Sequence, residues 1–290
     1  MIKVMLDSGA YSSWTKGVII NPDDYIEYIK SNQHLLDGFI NLDKIPRSVG
    51  MANRAAKQSY QNQQKMKRAG LSPIPVFHPG EDFDWLKRYL TNREPRIALS
   101  VKGNQYEAMD WLDDCFTIIG KRPVRVHALG TNSGAILHQF AFETVDASTW
   151  LKQAALGQIP IPSYSDGRPN YSLKHRIVSV TDRSFARGNH VERLRKFELD
   201  RVHRFLNDEV GIALDQIRQD AQYPNRQKCW LTFLKGLEAS CGKKIVPVSM
   251  VRTSIAKLLV EYGFEYHLLS YAKLKDAPKD ALKKYVKFGC

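Results

Sequence analysis

The sequence predicts an α/β fold, a (β/α)8 or TIM barrel carrying a basic, mainly helical insertion after its sixth strand. Three observations predict it. Short apolar runs recur eight times, each run is followed by a polar or glycine-containing turn, and amphipathic stretches separate most of them. Parallel barrel strands are buried on both faces and so read as nearly continuous apolar runs. A doubly wound parallel sheet is the alternative, since it differs mainly in strand count.

The first run, residues 2–6, ends at Asp7 and a small-residue turn, Ser8-Gly9-Ala10. A helix is predicted over 22–31, with Asn21 as N-cap and Pro22 at the first helical position, where a missing N–H is no loss. Strands at 38–42, 74–77, 97–101 and 124–126 then alternate with helices at 49–69, 81–90, 105–115 and 133–141. After the sixth strand, 142–145, the alternation breaks, and it resumes with strands at 245–248 and 266–269 around a helix at 253–262. The whole chain, 1–290, is expected to be one barrel domain with 158–242 as the insertion. There "IPIPSYSDGRPN" reads as extended and solvent-facing, and helices are expected at 191–207, 210–221 and 227–240, the last with Trp230, Phe233, Leu234 and Leu237 on one face. No internal repeat or low-complexity segment interrupts the chain.

Lys and Arg number 43 against 30 Asp and Glu, a net charge of +13, which creates a field that attracts polyanions. Arg168, Lys174, Arg176, Arg183, Arg187, Arg193, Arg195 and Lys196 concentrate that charge in the insertion, with Phe185, Phe197 and His203 interleaved. They read as a nucleic-acid platform or, equally, as a solvated helical excursion. Cys115, Cys229, Cys241 and Cys290 form no CxxC pair, so no metal site is expected. No run approaches the roughly 18 apolar residues of a membrane span, and "MIK" begins no signal-peptide pattern, so a cytoplasmic protein without membrane contact is expected. HExxH, GxxxxGK[ST] and GxSxG are absent, and no cofactor is implied.

Barrel enzymes place catalytic groups at the C-terminal ends of strands. The polar or turn residues that end the runs are Asp7, Asp43, His78, Ser100, Gly130 and Asp146, with His127 beside the fifth. Each Asp alone also suits a turn or helix cap. Three strand-end carboxylates that a barrel would bring to one pocket suit acid–base and nucleophilic work. "ALGTNSG" suits either a phosphate at a helix N-terminus or a plain strand-to-helix turn.

"LDSGAY" at 6–11, "VHALG" at 126–130 and "VDASTW" at 145–150, in that order, resemble signature segments of the tRNA-guanine transglycosylase superfamily. They look most like its shorter phage and bacterial members, the DpdA-like enzymes that put 7-deazaguanines into DNA. The resemblance covers about the first 150 residues. It implies that Asp146 is the nucleophile at the anomeric carbon and that Asp7 contacts the base and handles protons. It also implies that Asp43, in "INLDK", reads the guanine edge, and that Leu129 and Gly130 offer backbone groups to the base. Ser8 and Gly9 keep the turn small beside that base, and His78 and His127 are further base-site candidates. Where many members carry Gln before Gly, this chain reads "LSVKG", so Ser100 is the nearest match. Tandem cysteines of a C-terminal zinc site are missing.

DNA is the implied polymer partner, from the size, the missing zinc pattern and the "VDASTW" segment. A 7-deazaguanine such as 7-cyano-7-deazaguanine (preQ0) is the implied small-molecule substrate. The alternatives are the same exchange on tRNA and a catalytically silent nucleic-acid-binding barrel, which would be expected to have lost a carboxylate. A homodimer is compatible with the family.

Overall fold

A computed structural model describes residues 2–101, 103–147, 149–181 and 189–287, without the side chains of residues 49 and 220. Arg183, Arg187, Phe185 and Cys290 therefore lie outside the described residues. In chain order the first elements are β1 (Lys3–Asp7), α1 (Ala10–Lys16), α2 (Pro22–Asn32), β2 (Gly38–Phe39), α3 (Ala52–Arg68), β3 (Val76–Phe77) and α4 (Phe83–Thr91). Next come β4 (Arg96–Ser100), α5 (Gln105–Ile119), β5 (Arg125–Leu129), α6 (Gly134–Gln139), β6 (Thr144–Ala147) and α7 (Thr149–Ala155). Then follow β7 (Gln158–Ile161), β8 (Ser163–Ser165), β9 (Arg168–Asn170), β10 (Arg176–Ser179), α8 (Lys196–Arg204), α9 (Asp215–Arg218) and α10 (Tyr223–Cys241). The chain closes with β11 (Lys244–Pro247), α11 (Thr253–Glu261), β12 (Tyr266–Ser270), α12 (Tyr271–Leu274) and α13 (Ala281–Lys287).

The fold is mixed α/β with a parallel central sheet, and it divides into two compact units. The first comprises residues 1–131, 140–146 and 246–290. It contains a five-stranded sheet in the order β11-β6-β5-β4-β3 and a three-stranded parallel sheet in the order β12-β1-β2. Two isolated parallel bridges, Ile40 with Ile74 and Val248 with Leu268, stand outside the named strands. All eight expected strands are present, because buried parallel strands need apolar side chains on both faces.

Period-two alternation sorts those side chains. On one face Met5, Ile40, Ile74, Val76, Ala98, Val246 and Leu268 form an apolar cluster. On the other, Val4, Leu6 and Leu269 pack with Tyr25, Ile29, Ala256, Leu274 and Leu282 from the helices. Continuing the first face two residues onward gives Asp7 after Met5, His78 after Val76, Ser100 after Ala98 and Ser270 after Leu268. One face of the strands is thus apolar along its length and polar at its C-terminal edge.

The second unit, residues 132–139 and 147–245, carries the whole insertion. The stretch 159–170, expected to face solvent, is buried over its first four residues. Ile159, Pro160, Ile161 and Pro162 are buried, because β7 pairs antiparallel with β10, and only the β8–β9 hairpin beyond them meets solvent. The helix expected over 191–207 is a 3-10 turn at Val191–Arg193, then α8, then a π-helical stretch at Phe205–Val210. In place of the helix expected over 210–221 stand the short α9 and a 3-10 turn at Asp220–Gln222. Helix α10 buries Trp230, Phe233, Leu234 and Leu237 as the spacing requires, and the buried Arg226 donates to the carbonyls of Ala154, Ile217 and Gln219. Among the described residues no helix is long and apolar enough to cross a membrane.

Candidate active site

Asp7 ends β1, and the chain turns at once into α1 through Ser8 and Gly9. Gly9 has φ +84°, and a Cβ there would collide with Ala272, so only glycine serves. This turn aims the Ser8 and Gly9 N–H groups at the Asp7 carboxylate, with the Ser270 hydroxyl beside it. Burial is the main cause that pushes the Asp7 carboxyl up to about 6; the neighbouring Asp43 adds to it, and the hydrogen bonds oppose it.

Asp43 lies beyond the end of the short β2, in a loop with no regular ladder partners. Helix α3 holds that loop: Asn41 Nδ2 donates to the Ser59 carbonyl, Asn62 Nδ2 to the Leu42 carbonyl, and the Lys44 N–H to Ser59 Oγ. These bonds are 2.8, 2.6 and 2.8 Å long. The buried Asp43 carboxylate accepts from Ser8 Oγ at 3.4 Å, and its second oxygen lies 2.8 Å from His78 Nε2. The backbone N–H of His78 donates to Glu81 Oε2 at 3.1 Å, which holds the chain at this position.

Asp146 lies in β6 and is buried. Its carboxylate accepts the Gly130 N–H, which the φ of +81° at Gly130 directs toward it. Burial pushes this carboxyl up to about 7, the Gly130 hydrogen bond opposes the shift, and the charge of Asp7 adds to it. Asp7, Asp43 and Asp146, distant in sequence, are therefore electrostatic neighbours within the first unit: Asp7 feels Asp43, and Asp146 feels Asp7. Tyr25, whose hydroxyl donates to the Ile40 carbonyl at 2.8 Å, also feels Asp7 and Asp43. Its hydroxyl is held well above the usual range, chiefly by burial, and so stays neutral.

Such an arrangement offers two carboxyls, Asp7 and Asp146, that are raised toward neutrality and accept backbone N–H groups, and a third, Asp43, beside an imidazole. The raised groups can exchange protons or attack carbon near neutral pH. The remaining expected residues divide. Ser100 and Leu129 are register partners at the ends of β4 and β5. His127 is one layer deeper, in register with Ala98 and Thr144, its Nδ1 2.8 Å from Thr144 Oγ1. Burial lowers it to about 3, so it is a neutral packing residue, away from the strand ends. Ser270 was not among the expected residues, although it ends the run "YHLL" and the strand-end rule applied to the last strand finds it.

In the second unit Arg168, Lys174, Arg193, Arg195 and Lys196 are exposed, whereas Arg176 pairs with Glu198. Glu198 also accepts the Arg195 N–H at 2.9 Å, and these two bonds lower its carboxyl. Cys115 and Cys229 are buried and Cys241 is half-buried. Among the described residues no three His, Cys, Asp or Glu side chains form a metal-binding group.

The raised Asp146 carboxyl makes a stability prediction. Between about pH 4 and 7 the folded chain holds a proton there that the unfolded chain, with a carboxyl near 3.8, has lost. Its contribution is fully present below about pH 4 and is lost as pH rises through 7. At pH 8 Asp146→Asn is expected to stabilise the fold by about 1–4 kcal/mol, the upper figure being the full shift at ~1.4 kcal/mol per pH unit. At pH 4 the two proteins should agree within about 1 kcal/mol. Urea unfolding at both values tests this; an equal difference at pH 4 and 8 would contradict it. No protein-family model and no curated protein matches the chain.

Proposed function

We propose that the chain is a DNA-guanine transglycosylase, built on a closed (β/α)8 barrel, that replaces guanine with a 7-deazaguanine such as 7-cyano-7-deazaguanine. The observation that carries the reading is the gathering of Asp7, Asp43 and Asp146, with two of the three carboxyls raised toward neutrality. The closed barrel is supported by the bridges Ile40–Ile74 and Val248–Leu268, which would join the two sheets at both edges. The three motifs "LDSGAY", "VHALG" and "VDASTW" surround these residues.

In this account a carboxylate oxygen of Asp146 attacks C1′ of the target nucleotide as the bond to guanine N9 breaks. The hydrogen bond from Gly130 holds one oxygen, and the attack is assigned to the other. Protonated Asp7 gives its proton to the departing base, and the product is an aspartyl ester at C1′. The incoming base returns a proton to Asp7 and attacks C1′, which expels Asp146 as a carboxylate. Two inversions retain configuration, and the charges balance without a redox partner. Asp43, oriented by His78 and Ser8, would accept the N1–H and amino hydrogens of a guanine-like base. Reaching C1′ in a duplex requires extruding the nucleotide, and the exposed cations of the second unit would hold phosphates.

The test is exchange itself. Incubated with radiolabelled guanine, the protein should label DNA and leave unmodified tRNA unlabelled. Labelled tRNA with unlabelled DNA would transfer the same chemistry to the other polymer, and label in neither would contradict the exchange.

A further inference from the structure

Beside the Asp43 loop lies an open cavity of about 280 Å3, walled by Lys44, Pro46 and Arg47 on the loop and by Met51, Arg54 and Gln58 at the start of α3. We infer that this cavity binds a phosphate of the polynucleotide backbone, next to the pocket that takes the base; the identity of the phosphate's bearer rests on the function proposed above. The cavity has room for about nine waters at ~30 Å3 each, enough for a phosphodiester group with its hydration.

Three features point to an anion. Lys44, Arg47 and Arg54 are exposed and make no ion pair among the described residues, and none of the lining residues is acidic. Other exposed cations of the unit, such as Lys30 and Lys121, make no ion pair among the described residues either, but these three are gathered on one cavity wall. Three like charges on a concave wall focus a positive potential that a polyanion relieves. Helix α3 follows directly on a 3-10 turn at Val49–Met51, and its first two turns bring Arg54 and Gln58 to the cavity wall. Arg54 and Gln58, one turn apart, present a cation and an amide donor along one helix face.

The location gives the cavity its use. Lys44 adjoins Asp43, about 3.8 Å away along the chain, and its N–H is pinned to Ser59 Oγ at 2.8 Å. A base held by Asp43 therefore has a phosphate of its own or a neighbouring nucleotide within reach of Lys44. Phosphate held there fixes the register of the strand without reading sequence.

The experiment measures binding and needs no turnover. A fluorescein-labelled single-stranded DNA oligonucleotide is titrated at several KCl concentrations with wild type and with Lys44→Gln/Arg47→Gln/Arg54→Gln. A control, Lys30→Gln/Lys121→Gln/Lys279→Gln, removes equal charge from exposed positions. Thermal melts confirm that both variants fold. The cavity variant is expected to bind about tenfold more weakly at 50 mM salt, with a salt slope shallower by about 1, while the control stays within about twofold of wild type. Equal loss in both variants, no loss in the cavity variant, or no oligonucleotide binding by wild type would overturn the inference. A separate calorimetric titration with inorganic phosphate distinguishes the ligand's source. Saturation by phosphate alone, as tight as by the oligonucleotide and lost in the cavity variant, would overturn the backbone assignment. If wild type fails to exchange guanine but the slope still falls in the cavity variant alone, the transglycosylase reading fails and the phosphate site stands.

Discussion

Asp146→Ala is expected to abolish base exchange, lowering kcat by at least about 10^4-fold, while oligonucleotide affinity stays within about twofold of wild type. The expected size follows from removing a covalent nucleophile, for which no neighbouring group can substitute. Asp7 and Asp43 are electrostatic neighbours, yet Asp146 alone of the three accepts the Gly130 N–H. Release of labelled guanine from DNA in single-turnover reactions measures the effect. Turnover within tenfold of wild type would remove Asp146 from the covalent step. The same side chain supplies the stability test described above, so a variant that is more stable at pH 8 and inactive separates loss of chemistry from loss of fold.

Asp7→Asn is expected to lower kcat by about 10^2–10^4-fold and to change the shape of the pH profile. In wild type the first step needs Asp146 ionised and Asp7 protonated. With carboxyls raised to about 7 and about 6, the product of the two fractions is greatest near pH 6.5. The wild-type kcat/KM profile should therefore be a bell centred there, whose limbs belong to the coupled pair. In Asp7→Asn the alkaline fall disappears, because no proton on residue 7 remains to be lost. The rising limb then reports Asp146 alone instead of the coupled pair, without the upward push of the Asp7 charge. Persistence of the alkaline limb in this variant would contradict the proton-handling role.

Much of the first unit was legible from pattern alone, for physical reasons. Parallel strands buried on both faces cannot hide among polar residues, so "IKVML" and "RIALS" announce themselves, and the first polar residue after each run marks the strand's end. Asp7 was visible in this way, and Ser270 would have been by the same rule. Asp43 was legible as a residue but its support was not. β2 has only two residues, and the loop is held by Ser59 and Asn62 from a helix whose polar face resembles any solvated helix. The position of His127 was not legible, because the run ends at Val126 in sequence whereas β5 continues to Leu129; the register with Ala98 and Thr144 places His127 two residues before the strand end. The β7–β10 pair escaped because Pro160 and Pro162 suggest an exposed stretch, whereas pairing with Arg176–Ser179 buries it. Helix α1 escaped because it is short and opens on Gly9 without a side-chain cap.

The basic residues of the insertion were legible as charge and less so as function. Arg176 is committed to Glu198, while Arg168, Lys174, Arg195 and Lys196 remain exposed. Charge excess in a sequence does not separate a cation that holds a helix from one that meets a phosphate.

Trapping the intermediate tests covalent exchange through Asp146. The protein is incubated with a guanine-containing DNA oligonucleotide in the absence of an incoming base, quenched in acid and digested, and the peptides are analysed by mass spectrometry. The account predicts one adduct of an abasic deoxyribose bearing oligonucleotide, on the peptide that contains Asp146, absent from Asp146→Ala and removed when 7-cyano-7-deazaguanine is added before the quench. An adduct on Asp7 or Asp43, or exchange that proceeds with no adduct at any time point, would contradict it.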